Sequence, residues 1–283
     1  MANKHKHALE VYKARSDVVR SLVQRSGGNN EAPASLSTKP RRTLVQFWDD
    51  LRGLPRDVCE CIESWRRLEE QGFQFLLFDD NRARDFIAGG LGSRYADAYD
   101  RCYHPAMRSD YFRLCYILRE GGCYLYADDV HQGPRIEPLF SDGRLRIQPL
   151  CYDFSTDQMV SPSVFTVPGA NASSWLLYFA NSPLIAAHGH PIVERALANA
   201  TKALERAAAD ELPEIQSTTG PGNLTSAVFD FVLEYGGTER TLVVLQDWEN
   251  IAVSKWPLSY RNDLRNWRFS NQREYRPRME EDR

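Results

Sequence analysis

The residues best placed to do chemistry lie between Met107 and Val130, in MRSDYFRLCYILREGGCYLYADDV. Asp110 and Arg113 stand three apart, so on a helix they share a face and can grip hydroxyl groups together. Asp128 and Asp129 are adjacent hard-oxygen donors. Mg²⁺ or Mn²⁺ takes one or two such carboxylates beside phosphate oxygens. Each pattern also has a plain explanation. Asp110 and Arg113 read equally well as a solvated ion pair worth about 0.3 kcal/mol, and paired aspartates are common in surface turns. A buried strand running straight into Asp128-Asp129 favours the functional reading there.

The positioning elements follow from spacing. Met107, Tyr111, Leu114 and Leu118 form one apolar helical face, and Gly121-Gly122 supply a helix stop. Residues 123–126 are too short and too aromatic for a helix and read as a strand. The two aspartates thus follow a strand's carboxyl end, where open α/β sheets bind ligands. Upstream, residues 43–48 and 73–78 read as strands. Between them residues 55–70 read as a helix with Val58, Ile62 and Trp65 inward. Asp79-Asp80 reads as a cap and turn, and polar helical segments continue to about residue 101. Three strands separated by helices predict a parallel sheet with right-handed crossovers, a Rossmann-like N-terminal half.

Beyond Val130 the pattern is less regular. Strands are expected at 145–148, 163–167 and 241–245, with helices at 192–209 and 224–234. His188 and His190 form H-x-H, but a His190 cap before Pro191 is the better account than a metal pair. Gly220-Pro221-Gly222 is either a turn or a helix start offering backbone amides to an anion. Trp248, Trp256 and Trp267 read as core or lid anchors. Residues 5–25 suggest a helix packed outside the main domain or on a partner. Residues 26–41 are small, polar and proline-broken and read as a flexible linker.

The totals narrow the class. A chain of 283 residues, 42% hydrophobic, can bury one large α/β core. A net charge of −3 argues against nucleic acid held by bulk electrostatics. No apolar run reaches the roughly 20 residues of a transmembrane segment, and the N-terminus carries no signal-peptide pattern. The expected location is cytoplasmic. The cysteines at 59, 61, 102, 115, 123 and 151 lack zinc-knuckle spacing and read as reduced thiols.

Ser109-Asp110-x-x-Arg113, then Gly121-Gly122-x-Tyr124, then an acidic box at residues 126–128, resembles the glycosyltransferases with a DXD sugar-binding region. These include fungal initiating mannosyltransferases, bacterial capsular-polysaccharide transferases and, more distantly, clostridial glucosylating toxins. Other stations are similar in order: Leu44 to Trp48, Ser64-Trp65, Leu77 to Asp80, Asn181, His190-Pro191 and Thr219-Gly220-Pro221. The resemblance spans roughly 42–268, leaving 1–41 as helix and linker and 269–283 as a charged tail. It implies an α/β fold of GT-A type and a nucleoside-diphosphate sugar donor, a UDP- or GDP-sugar. It also implies retention of configuration and Mn²⁺ or Mg²⁺ assistance. The acceptor would be a hydroxyl on a glycan, a protein or a small natural product. Trp48 would stack on the base, Asp110 and Arg113 would hold the sugar, and Asp128 and Asp129 would hold the metal. Tyr126, Ala127, Asn181, Gly220 and Pro221 would complete the donor site, with Asp110, Arg113 and Asp128 as the catalytic candidates.

The chain departs from that pattern at Tyr126, which stands where the box has its first aspartate. A tyrosine is not an anionic ligand at neutral pH. Asn266-Trp267 is a second departure, where relatives often place a histidine. These substitutions motivate an alternative, a catalytically silent relative that binds a nucleotide sugar or a partner protein. Tyr126-Ala127-Asp128-Asp129 also matches the Y-x-D-D box of reverse transcriptases. Those enzymes need a third distant aspartate and a basic surface that this acidic chain lacks.

Overall fold

The computed structural model describes residues 2–25, 38–208, 211–238, 240–255 and 257–270. Most of the expected linker at 26–41 and of the tail at 269–283 lies outside them, as does Trp256.

Helix α1 (Ala2–Arg25) leads to β1 (Thr43–Phe47), α2 (Arg56–Arg66), β2 (Gln74–Phe78), α3 (Asp80–Gly90), α4 (Ser93–Asp100), α5 (Pro105–Glu120) and β3 (Gly122–Tyr124). β1 is buried along its whole length because it pairs in parallel with β2 on one side and β3 on the other. Further on come β4 (Asp129–His131), β5 (Leu145–Ile147), β6 (Pro149–Asp153), β7 (Gln158–Val160), α6 (Pro162–Phe165), β8 (Trp175–Phe179) and β9 (Leu184–Ala186). The chain continues through α7 (Pro191–Arg206), α8 (Ile215–Thr218), α9 (Pro221–Tyr235), β10 (Leu242–Val244), β11 (Ala252–Ser254) and α10 (Trp267–Ser270).

The central sheet has the order β10-β5-β9-β3-β1-β2. Only β9 runs against its neighbours, pairing antiparallel with both β3 and β5. The α/β sheet is therefore mostly parallel, with a Rossmann-like N-terminal half. Two smaller sheets flank it, β7-β6-β8 and the β4–β11 ladder.

The α5–β3 turn shows why glycines stand there. Gly121 and Gly122 have φ of 70° and 112°. A Cβ on Gly121 would meet the His188 backbone nitrogen at 2.7 Å, and one on Gly122 the Thr43 carbonyl oxygen at 2.9 Å. Backbone approaches this close admit no side chain, and they set α5 hard against the sheet.

Helix α1 packs on β8 and α9, burying Val19 and Val23 in the main core. β8 is an edge strand of its sheet, and its amides are answered by side chains. Leu177 N–H donates to Ser16 Oγ and Phe179 N–H to Thr225 Oγ1, both at 2.9 Å. That covers an edge that would otherwise invite pairing.

Three sequence expectations change. Residues 163–167 are not a strand: Pro162 opens a short helix, and Thr166 Oγ1 donates back to the Pro162 carbonyl at 2.7 Å. β6, β7, β8, β9 and β11 form where no strand was expected. Each is five residues or fewer, and β8, β9 and β11 take partners from distant sequence. β4, directly after the acidic box, was read as irregular chain; its antiparallel partner β11 lies more than a hundred residues on.

Candidate functional site

A cavity of about 700 Å³ opens at the carboxyl ends of the parallel strands. That volume suits a nucleotide-sized ligand. β1 delivers Trp48 and Asp49 to its wall, and β3 delivers Tyr126 to Asp129. Helix α5 presents Asp110 and Arg113 to the same space. The strand-end aspartates and the helix pair thus meet at one site.

Asp110 and Arg113 are not a solvated pair. Their side chains are 10% and 1% exposed, and Nη2 of Arg113 lies 2.8 Å from Oδ1 of Asp110. Arg113 also donates to Ser109 Oγ at 3.0 Å and to the Asn181 carbonyl at 2.9 Å. Its guanidinium lies over the rings of Tyr124 and Tyr126, 4.6 and 4.8 Å from the centroids. Burial works against the Arg113 charge, but the Asp110 carboxylate and the tyrosines outweigh it and hold the pKa above the usual arginine value. Burial raises the Asp110 carboxyl, against the pull of Arg113 and of the Asn181 amide, which donates at 2.9 Å.

Tyr126 belongs to this network. Its hydroxyl donates to Asn181 Oδ1 at 2.5 Å, and burial pushes the phenol's pKa up, so it is a neutral donor. Its backbone is pinned as well: N–H donates to Ser182 Oγ at 2.9 Å, and the carbonyl accepts from Gln46 Nε2 at 2.7 Å. Asn181 therefore sits inside the site, bridging Tyr126 and Asp110. Ala127 is buried and lines the cavity beside them.

The two box aspartates differ sharply. Asp128 Oδ2 accepts from the Tyr260 hydroxyl at 2.7 Å and forms an ion pair with Arg261. Asp129 is buried, and its backbone carbonyl accepts from Trp65 Nε1 at 2.9 Å. Burial first, and the adjacent Asp128 second, push the Asp129 carboxyl up from the usual carboxylate range. Among the described residues no group of three or more His, Cys, Asp or Glu side chains stands together to hold a metal. The oxygens at the box are one carboxylate bound to a guanidinium, one buried carboxyl hydrogen-bonded to Ser254, and one phenol whose hydroxyl is spent on Asn181. A hard divalent cation takes anionic and carbonyl oxygens, and this donor set does not fit it.

Trp48 is 8% exposed, and its Nε1–H, buried at the cavity wall, has no hydrogen-bond partner among the described residues. Tyr260 meets the ring edge-on at 5.2 Å, and the Arg265 guanidinium lies over it at 5.7 Å. A base stacking on Trp48 would share the ring with Arg265. Gly220 is the N-cap of α9, but its own N–H is spent on the Ile215 carbonyl at 3.0 Å, so it is no anion-binding amide. What it provides is close approach: a Cβ there would stand 3.1 Å from Asp110 Oδ2. Pro221 starts α9 at the cavity wall.

Elsewhere the caps fall as the residue types suggest. Asp79 Oδ1 accepts from Arg82 N–H at 2.8 Å, and His190 Nδ1 accepts from Ile192 N–H at 3.3 Å. Asp80 carries a further contact, an ion pair with Arg108 supported by the Tyr99 hydroxyl.

The site residues that sequence reasoning overlooked come from the end of the chain: Tyr260, Arg261, Arg265 and Arg268. They reach the cavity because β11 pairs with β4, and Lys255 N–H then donates to the Asp128 carbonyl at 3.0 Å. The Leu264 carbonyl meets His104 Nε2 at 3.0 Å, tying the segment to the start of α5. The only sequence signal was the density of arginines before the apolar anchor Trp267. Asn266 is buried, its side chain bonded to the Arg261 carbonyl at 2.8 Å.

Residues 55–142 match the family model described as a glycosyltransferase sugar-binding region containing a DXD motif. The resemblance to the DXD-type sugar-binding glycosyltransferases holds over that span. No curated protein matches the chain. Among solved structures, the chain is similar to the PaToxG glycosyltransferase at 15% identity and a TM-score of 0.46, over 81% of this chain and 80% of that one. Among the described residues no helix is long and apolar enough to cross a membrane.

Proposed function

We propose that this chain, whose residues 55–142 match that sugar-binding region, transfers a sugar from a nucleoside-diphosphate sugar to an acceptor hydroxyl, with retention of configuration. Residues 42–268 would form the catalytic domain. One observation carries the reading: the buried Asp110–Arg113 pair and the Asp128–Arg261 pair line the same cavity at the strand ends. One pair suits sugar hydroxyls, the other lies where a diphosphate is expected, and Trp48 stands at the wall for the base.

In this reading Asp110 accepts from sugar hydroxyls, and Arg113 fixes the carboxylate's orientation. Preorganisation of this kind stabilises charge as it develops, without reorganisation at the moment of reaction. The bond from the anomeric carbon to the diphosphate oxygen breaks while the acceptor oxygen bonds to the same face. The acceptor's proton leaves with the departing diphosphate. No protein nucleophile is required. No step passes through the divalent cation that the resemblance implies, since the donor set at the box does not fit one.

Donor hydrolysis in the absence of acceptor is the direct test. Asp110→Asn, nearly isosteric, should lower it by about a hundredfold or more while the protein stays folded. Hydrolysis unchanged in that variant would reject the assignment. The second reading, a silent nucleotide-sugar binder, is favoured by the neutral Tyr126 phenol in the box. Donor bound tightly but not turned over across an acceptor panel would select it.

A further inference from the structure

We propose that this site neutralises a diphosphate with the guanidinium of Arg261 rather than with a divalent cation. The inference rests on the nucleotide-sugar reading above and names the cation of that same site.

The geometry of the box carries it. Asp128, the carboxylate retained from the box, already holds a cation: its Oδ2 accepts from Arg261 and from the Tyr260 hydroxyl. Tyr126, at the position of the missing carboxylate, directs its hydroxyl to Asn181 and its ring to Arg113. Tyr260, Arg261 and Arg265 line the cavity wall, and their segment is held there by Ser259 N–H donating to Asp57 Oδ2 at 2.6 Å, by the Leu264 carbonyl on His104 and by Asn266 Nδ2 donating to the Arg261 carbonyl at 2.8 Å, so Arg261 does not hang on a free tail. Arg265 and Arg268 line the same cavity from the same segment, Arg265 lying 3.6 Å from Asp49. A guanidinium is a planar fork that matches phosphate oxygens bidentately and stays charged at any physiological pH. A diphosphate entering the cavity would compete with Asp128 for Arg261. Asp128 then acts as the positioning residue that keeps the guanidinium at the site when no ligand is present.

The two modes predict opposite effects at Asp128. If a metal bridges this carboxylate and the diphosphate, Asp128→Asn abolishes binding. If Arg261 is the cation, Asp128→Asn releases it and binding persists or tightens. The measurement is calorimetric titration of the full chain with UDP, GDP, ADP, CDP and dTDP, in EDTA and again in Mn²⁺. The expected result is one preferred nucleotide whose Kd differs by less than about threefold between the two conditions. Arg261→Gln should weaken it about tenfold or more in EDTA. Arg261→Lys, which keeps the charge and loses the fork, should fall between the two and guards against a folding defect, checked by melting temperature. Binding seen only with Mn²⁺ and lost in Asp128→Asn would overturn the inference and leave the donor reading standing. No nucleotide bound under either condition would overturn both.

Discussion

The Tyr126 hydroxyl donates to Oδ1 of Asn181 at 2.5 Å, and that bond fixes which way the amide faces. With its oxygen taken, Asn181 turns its nitrogen to Asp110, donating at 2.9 Å. A residue that looks like a loss in the acidic box is therefore an orienting partner for the carboxylate expected to grip the sugar.

Tyr126→Phe should leave the ring on Arg113 and remove this bond together with the hydrogen bond that Arg113 makes to the same hydroxyl. The unpaired Asn181 oxygen should destabilise the protein by about 1–2 kcal/mol, and donor hydrolysis should fall as the amide loses its fixed orientation. Tyr126→Asp should not repair the box. Its backbone is pinned by Ser182 and Gln46, and the new carboxylate would join the Asp110–Arg113 network. A lower melting temperature without gain of turnover is expected, and improved metal-dependent turnover would refute this account.

Gly220→Ala places a methyl group 3.1 Å from Asp110 Oδ2 and 3.0 Å from the Gln216 Cα. Gln216 Cα is backbone and yields little, so the carboxylate must shift. We expect a loss of about 1–3 kcal/mol in stability and a larger fractional loss of donor hydrolysis. An unchanged rate would show that Asp110 tolerates displacement.

His190 makes a contribution to stability that is lost in acid. The ring is 1% exposed; Nδ1 caps α7, and Nε2 donates to the Thr241 carbonyl at 3.0 Å, so the folded state holds it neutral. Burial lowers its pKa from 6.5 to about 4. The unfolded chain binds this proton first. The contribution of this residue to stability should therefore decline as pH falls below about 6.5 and level off near 4, by about 3 kcal/mol in total, read as the stability difference from His190→Asn at each pH. His190→Asn, which can cap but does not titrate, should lack that decline in denaturant titrations across pH.

The amino-acid sequence by itself determined the local pieces. Periodicity placed the central helix, glycines ended it, and the caps at Asp79 and His190 follow from residue types whose side chains answer nearby amides. The resemblance at 109–128 pointed to both halves of the proposed site. Only the tertiary structure decided how those pieces act. Whether Asp110–Arg113 is solvated depends on what packs over it, and the covering atoms come from Asn181, Tyr124 and Tyr126. β9 and β11 are three-residue strands whose pairing energy comes from chain far away in sequence, which no local window contains. The partner of Asp128 is likewise non-local: Arg261 reaches it through a ladder between segments more than a hundred residues apart. An ion pair of that kind is written in the fold, because electrostatic attraction depends on distance in space and not on distance along the chain.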